Sequence, residues 1–250
     1  MKPAAAITTT QRRYRSLLWA VLLLSALPAS LLAGWQLLVS TDFLYPLWYD
    51  VIGIDRTIAE YGPKNDYRDH FELTTREERT RLFAAIVAAI HDGGRGLETL
   101  TYHDARGNSI APLLRSPEIT HLRDVARLVD GLYRLGIGAA MVWLVALVWL
   151  WRLRLPPPPL GRYFAGLGLL AVVSMLAVIA IGTKKVFYTA HTLIFPAGHQ
   201  WFFYYEESLM TMLMQAPDLF AAIAAELLLL TAFCYWLVIW LSRRIVRRAN

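Results

Sequence analysis

The chain has 250 residues, of which 56% are hydrophobic and only 18% charged, and its mean hydropathy is +0.40. Soluble domains carry about a quarter charged residues, so this composition excludes an ordinary soluble protein and points to an integral membrane protein. The net charge of +6 is no argument for a nucleic-acid partner, because most of the excess lies in short segments flanking apolar runs.

A bilayer core takes about 20 mainly apolar residues to cross. The first such run is Leu17 to Val39. A rival reading makes it a cleaved signal peptide with "ALPAS", Ala26 to Ser30, as the processing site; against it, the run exceeds the roughly 7 to 15 residues of a signal h-region. The following segment, 40–134, mixes acidic and basic residues and is too long for a simple loop. Within it, "TTREERTRLFAAIVAAIH" (Thr74 to His91) has the capping-box spacing Thr75-x-x-Glu78, then Leu82, Phe83, Ile86, Val87 and Ile90 at helical intervals, which predicts an amphipathic helix. "HDGGRG" reads as a Gly-rich turn at its end, and the alternating runs around "DARGN" predict a small hairpin.

"RSPEITHLRDVARLVDGLYRL" predicts a further helix with Ser116 as N-cap, Pro117 at the first helical position and Glu118 in the first turn. Its apolar stripe is Ile119, Leu122, Val125, Ala126, Val129 and Leu132. His121 falls at the edge of that stripe, with Asp124 three residues on along the neighbouring face. The pair admits two readings: an imidazole bonded to a local carboxylate, or a general base whose tautomer the carboxylate fixes.

This helix leads into a second run, Leu135 to Trp151, followed by a stiff connector containing Pro156 to Pro159. The third run is Tyr163 to Thr183 and the fourth Leu219 to Leu241. Between them, 184–218 opens with Lys184 and Lys185, suited to lipid phosphates, an anionic substrate or simple snorkelling. It continues with Phe187, Tyr188, Phe195, Trp201, Phe202, Phe203, Tyr204 and Tyr205, an aromatic density beyond an ordinary interfacial belt, around His191 and His199. Cys234 lies in the fourth run, an apolar setting in which a thiol is poorly reactive. Glu226, about 10 to 13 Å into the same run, is either a functional carboxylate or a protonated one bonded to a neighbouring helix. Arg134 either positions a carbonyl or phosphate or snorkels.

Basic residues without acidic ones (Lys2, Arg12, Arg13 and Arg15; Arg152, Arg154 and Arg162; Arg243, Arg244, Arg247 and Arg248) mark three cytoplasmic segments. The expected fold is an all-α polytopic membrane protein forming one membrane domain over residues 1–250, with transmembrane helices at 17–39, 135–151, 163–183 and 219–241. Segments 40–134, helical, and 184–218 are then extracytoplasmic, and 152–162 is a cytoplasmic loop. This topology brings His121 and His191 to one membrane face.

"EITHLRDV" (Glu118 to Val125), followed after two spans by "FYTAHTLIFPAGHQWFFYYEESLMTMLMQAPDLF" (Phe187 to Phe220), resembles the signature of the lipoprotein intramolecular transacylases. The matching positions are His121 and Asp124, then Phe187, His191 and Phe195, then Trp201, and Pro217 with Phe220. The chain departs from the pattern at Tyr49-Asp50, where members commonly have a tyrosine-asparagine pair, and at "FFYYEES". The resemblance implies a bacterial cytoplasmic-membrane acyltransferase without cofactor or metal. Its substrates are diacylglyceryl lipoproteins: one glycerol-linked acyl chain moves to the α-amine of the lipidated cysteine, giving a lyso-form. With no covalent nucleophile, His121, oriented by Asp124, is then expected to take the amine proton and His191 to stabilise the oxyanion or protonate the leaving oxygen, the two roles being exchangeable. Tyr188, Phe195, Trp201, Tyr204, Arg134 and Glu226 are the expected substrate-binding residues, beside membrane lipids as partners. His199 is expected as a support residue, and His70, His91 and His103 as surface residues. The competing class is a non-catalytic membrane module that binds lipid, metal or a partner protein, although no H-E-x-x-H or Cys/His cluster at ligand spacing is present.

Overall fold

Long apolar runs with no water to satisfy their backbone must close their hydrogen bonds internally, and here they do so as helices. The structure, a computed structural model, describes residues 9–249, excepting the side chains of residues 9–11 and 162; Lys2 and the Arg162 side chain, used above for orientation, lie outside the described residues. Among the described residues, four helices are long and apolar enough to cross a membrane: α1 (Thr9–Val39), α5 (Ser116–Arg152), α6 (Gly161–Ile181) and α9 (Asp218–Arg248). Between them lie α2 (Tyr45–Ile52), α3 (Ile54–Tyr61), α4 (Arg76–His91), an antiparallel hairpin of β1 (Thr101–His103) and β2 (Ser109–Pro112), α7 (Thr183–Ile194) and α8 (Leu209–Met214).

The chain divides into two compact units. The first takes in Met1–Trp35, Tyr133–Leu176 and Leu227–Asn250. Its core joins Trp19, Leu22 and Ala26 of α1, Leu147 and Leu150 of α5, and Tyr235 and Ile239 of α9. Here the Tyr235 hydroxyl donates to the Leu23 carbonyl at 3.2 Å and lies 2.6 Å from the Tyr163 hydroxyl, a polar chain that satisfies both phenols among apolar neighbours. Gly136 lets α5 approach α1 closely; a Cβ there would sit 2.8 Å from Leu32. No residue in the apolar window of α6 is fully buried, although Phe164 and Leu167 pack partly on this core, as suits a helix largely solvated by acyl chains.

The second unit takes in Gln36–Leu132 and Ala177–Glu226. Tyr45 of α2 is fully buried, stacks on Phe83 of α4 at 3.9 Å and donates its hydroxyl to the Leu213 carbonyl of α8. The buried Arg79 guanidinium donates to the Tyr49 hydroxyl, Thr74 Oγ1 and the Glu72 carbonyl, and among the described residues its charge is held without a carboxylate partner. Thr75 caps α4 as its spacing predicts, accepting from the Glu78 amide at 3.2 Å. The Glu78 carboxylate does not close the capping box; it binds Arg81 and both the amide and Nδ1 of His103, tying α4 to the hairpin.

Two boundaries differ from the sequence reading. Helix α5 begins at Ser116, not after it, and Glu118 reaches back to the Arg115 amide at 2.5 Å. The third apolar run ends at Ile181: Gly182 adopts φ +92°, a conformation glycine reaches without a Cβ clash, and α7 starts anew at Thr183. That break carries His191 on a helix separate from the apolar run.

Glu118 is fully buried and holds two helix starts together. One carboxylate oxygen accepts from the Arg115 amide, the other from the Ser208 hydroxyl, which in turn caps α8 by accepting from the Thr211 amide at 3.0 Å. Removing the carboxylate orphans both donors, at about 1 to 3 kcal/mol each. Glu118→Ala is therefore expected to lower stability by about 3 kcal/mol, read as a fall in the thermal midpoint of the detergent-solubilised protein; an unchanged midpoint would show that the bridge contributes nothing.

Candidate functional site

A cavity of about 650 Å³ opens in the second unit, lined by α3, α5, α7, α8, the segment between α7 and α8, the first turn of α9 and Ile90 of α4. His121 reaches it because α5 turns its apolar edge inward, and His191 because Phe187, His191 and Ile194 share one face of α7. The imidazole rings are 6.1 Å apart, centroid to centroid. Phe195 lies 4.8 Å from His121 and 5.2 Å from His191; Trp201 and Phe187 lie 5.0 and 4.0 Å from His191. Phe203 completes the wall on the His121 side at 6.5 Å. Lys184, Glu206 and Asp218 also reach the lining, so an apolar cavity carries charged groups at its margin.

The two imidazoles differ in what engages them. His191 Nδ1 is 2.8 Å from the Phe187 carbonyl oxygen, which can only accept, so Nδ1 carries the hydrogen and Nε2 the lone pair. Burial pushes the His191 imidazole below its ordinary value, opposed by that same bond, so it favours the neutral form. His121 is 8% exposed, and among the described residues neither of its nitrogens has a hydrogen-bond partner.

Asp124 is arranged differently from the expectation that it orients His121. Its buried carboxylate accepts from His199 Nδ1 at 2.5 Å and from Arg127 at 2.6 Å, one oxygen to each. Of the expected binding residues, Tyr188, Phe195, Trp201 and Tyr204 line the cavity. Glu226 does not: one carboxylate oxygen accepts from Trp48 Nε1 at 3.0 Å, and the other is buried without a partner among the described residues. Arg134 is exposed, falls in the first unit and is not among the lining residues. Sequence reasoning missed Tyr61 and Met210 in the lining, the roles of Phe203 and Tyr205 there, and the Glu118–Ser208 bridge. No serine or cysteine lines the cavity, and among the described residues no group of three or more His, Cys, Asp or Glu is arranged to hold a metal ion.

The fold and this cavity define a polytopic membrane protein with paired imidazoles at the head of an apolar, aromatic chamber. The sequence model of the family described as "Lipoprotein intramolecular transacylase Lit" matches residues 78–216, a stretch containing His121, Asp124, His191 and His199. The chain belongs to that family, and is thus an integral-membrane acyltransferase. Its fold is similar to solved structures of the membrane integral lipoprotein intramolecular transacylase Lit from Bacillus cereus. One, a histidine-to-arginine variant, is 17% identical with a TM-score of 0.65, covering 96% of this chain and 95% of that one. Another is 17% identical with a TM-score of 0.64, covering 95% and 98%. A histidine-to-alanine variant is 16% identical with a TM-score of 0.64, covering 96% of each chain. No curated protein sequence matches the chain.

Proposed function

We propose that this transacylase moves one ester-linked acyl chain of a diacylglyceryl-cysteine lipoprotein onto the α-amine of the same cysteine, with His191 as proton carrier and His121 as oxyanion donor. The observation that carries this reading is the pair of imidazoles 6.1 Å apart at the head of an aromatic cavity, one with its tautomer set by a backbone carbonyl. In the first step His191 Nε2 takes a proton from the α-amine as nitrogen attacks the ester carbonyl carbon. An N–H of neutral His121 then donates to the developing oxyanion. As the carbon–oxygen bond to glycerol breaks, His191 returns its proton to the glyceryl oxygen, leaving an amide and a free hydroxyl.

Amine and ester belong to one molecule, so holding them in a near-attack geometry replaces a second-order encounter, and no covalent nucleophile is needed. The assignment exchanges the roles first suggested by the sequence, because both Asp124 oxygens serve other partners while Phe187 fixes the His191 tautomer. Tyr188, Phe195, Trp201 and Tyr204 would seat the acyl chains, Glu226 and Arg134 being left to structural or lipid-facing roles. With the arginine-rich segments inside, the protein would sit in the bacterial cytoplasmic membrane with both termini cytoplasmic and the cavity opening on the extracytoplasmic side.

The direct test is expression in a bacterium lacking lipoprotein N-acylation, followed by tandem mass spectrometry of lipoprotein N-terminal peptides. The transfer conserves mass, so the readout is the fragment carrying an amide-linked acyl chain. Peptides that all retain a free amine and both glyceryl esters would contradict the proposal.

A pH profile follows from the His191 environment. The substrate α-ammonium, with a pKa of about 8, must lose its proton, so log kcat/KM rises with slope 1 below that pH. His191 must also be neutral, and its lowered value keeps it so to below the ordinary imidazole pKa of about 6.5. The slope is therefore expected to reach 2 only below about pH 6.5; a second bend at or above that pH would contradict the assigned role.

A further inference from the structure

Segment 196–204 has no regular secondary structure, yet Trp201, Phe202, Phe203 and Tyr204 from it form a continuous part of the cavity wall. A wall made by an irregular strap must be fastened to something rigid. Among the described residues, a single side-chain hydrogen bond joins this segment to another element: His199 Nδ1 to Asp124 Oδ2 on α5, at 2.5 Å. The other anchors are ring contacts: Trp201 and Phe202 on Tyr188 at 5.7 Å each, Arg115 over Phe203 at 5.9 Å, and the contacts of Trp201 and Phe203 with the two imidazoles given above. Asp124 is a firm attachment point. Its side chain is 5% exposed, it lies one turn from His121 on the same helix, and Arg127 holds its other oxygen. The His199 ring is itself half-exposed and does not line the cavity, so it is placed to brace and not to react.

We infer that His199 is a positioning residue for the transfer: by donating Nδ1–H to Asp124 it straps segment 196–204 to α5, fixing Trp201 and Phe203 beside the two imidazoles so that the substrate's acyl ester has a formed seat. Asp124 then serves substrate binding through His199 instead of setting the His121 tautomer. This inference rests on the proposed transfer for its kinetic arm only.

The test uses the full-length protein in lipid vesicles with a synthetic diacylglyceryl-cysteine peptide bearing a free amine. His199→Ala is expected to raise KM on the order of tenfold, the effect of one lost charge-assisted hydrogen bond, with kcat changed by less than about threefold. His199→Asn, whose amide N–H occupies the place of Nδ1–H, is expected to recover most of the loss. In a double-mutant cycle with Asp124→Asn, the second substitution is expected to add little to the first. A second measurement needs no activity: hydrogen–deuterium exchange of the amides in 196–204 is expected to rise in His199→Ala while α5 and α7 keep their protection. Unchanged KM with unchanged exchange overturns the inference, as does a loss confined to kcat, which would put His199 in the chemistry. If wild type fails to transfer the acyl chain, the function proposed above is at fault, and the exchange arm still decides whether His199 fastens the strap.

Discussion

Replacing His191 by glutamine is expected to lower the rate of amide formation by about 100- to 10,000-fold, the range by which positioned acid/base groups accelerate proton transfer. The α-amine is protonated at neutral pH and the glyceryl oxygen is a poor leaving group unless it gains a proton, so both halves of the reaction lose their carrier together. His191 Nδ1 is tied to the Phe187 carbonyl, which leaves Nε2 unprotonated and, in the proposed reaction, the atom that takes the proton. Glutamine keeps a polar group near the same place but cannot cycle a proton at this pH. The check is single-turnover conversion of the synthetic lipopeptide, with binding measured separately. A rate within about fivefold of wild type would remove His191 from the reaction.

Replacing His121 by alanine is the second large effect, expected at about 100- to 1,000-fold in kcat, the scale of losing one preorganised oxyanion donor. Here the loss should be confined to the transition state, leaving KM within a few-fold, because the N–H gains its strength only as charge develops on the carbonyl oxygen. His121→Asn or Gln returns an N–H to the cavity and should recover part of the rate while leaving the second acid bend of the pH profile in place, since the proposal assigns that bend to His191. If instead the second bend disappears in His121→Asn, the two roles are the reverse of those proposed.

The four long helices and the first turns of α4 and α5 are legible in the amino-acid sequence because each is a local property. Hydropathy over about 20 residues marks a membrane-crossing helix, and Thr75 with Glu78 or Pro117 with Glu118 marks a helix start within four residues. His121 and His191 can be paired from sequence because the spans between them return the chain to the same face. Other features depend on contacts no window contains. Asp124 meets His199 across 75 positions, Glu118 meets Ser208 across 90, and Trp48 meets Glu226 across 178. A carboxylate three residues from a histidine invites a local pairing, and only the fold shows that this one is engaged elsewhere. Helices α2 and α3 are eight residues each, too short for periodicity to declare, although Ile54 and Ile58 at i and i+4 are both fully buried. The start of α7 is hidden for another reason: Gly182, Thr183 and the two lysines read as the end of a span, and only the backbone shows that helix resumes at Thr183 after the turn at Gly182.

The central claim, that one molecule's acyl chain moves from its own glyceryl oxygen to its own α-amine, is tested most directly by a crossover experiment. Purified protein in vesicles is given an equal mixture of two diacylglyceryl-cysteine peptides, one with light acyl chains and one with fully deuterated chains, and the products are sequenced by tandem mass spectrometry. Transfer within one molecule gives amide-bearing products that keep the parent masses, each carrying its amide and remaining ester chain from the same isotopic set. Mixed products, or products lighter by one acyl chain, would contradict it.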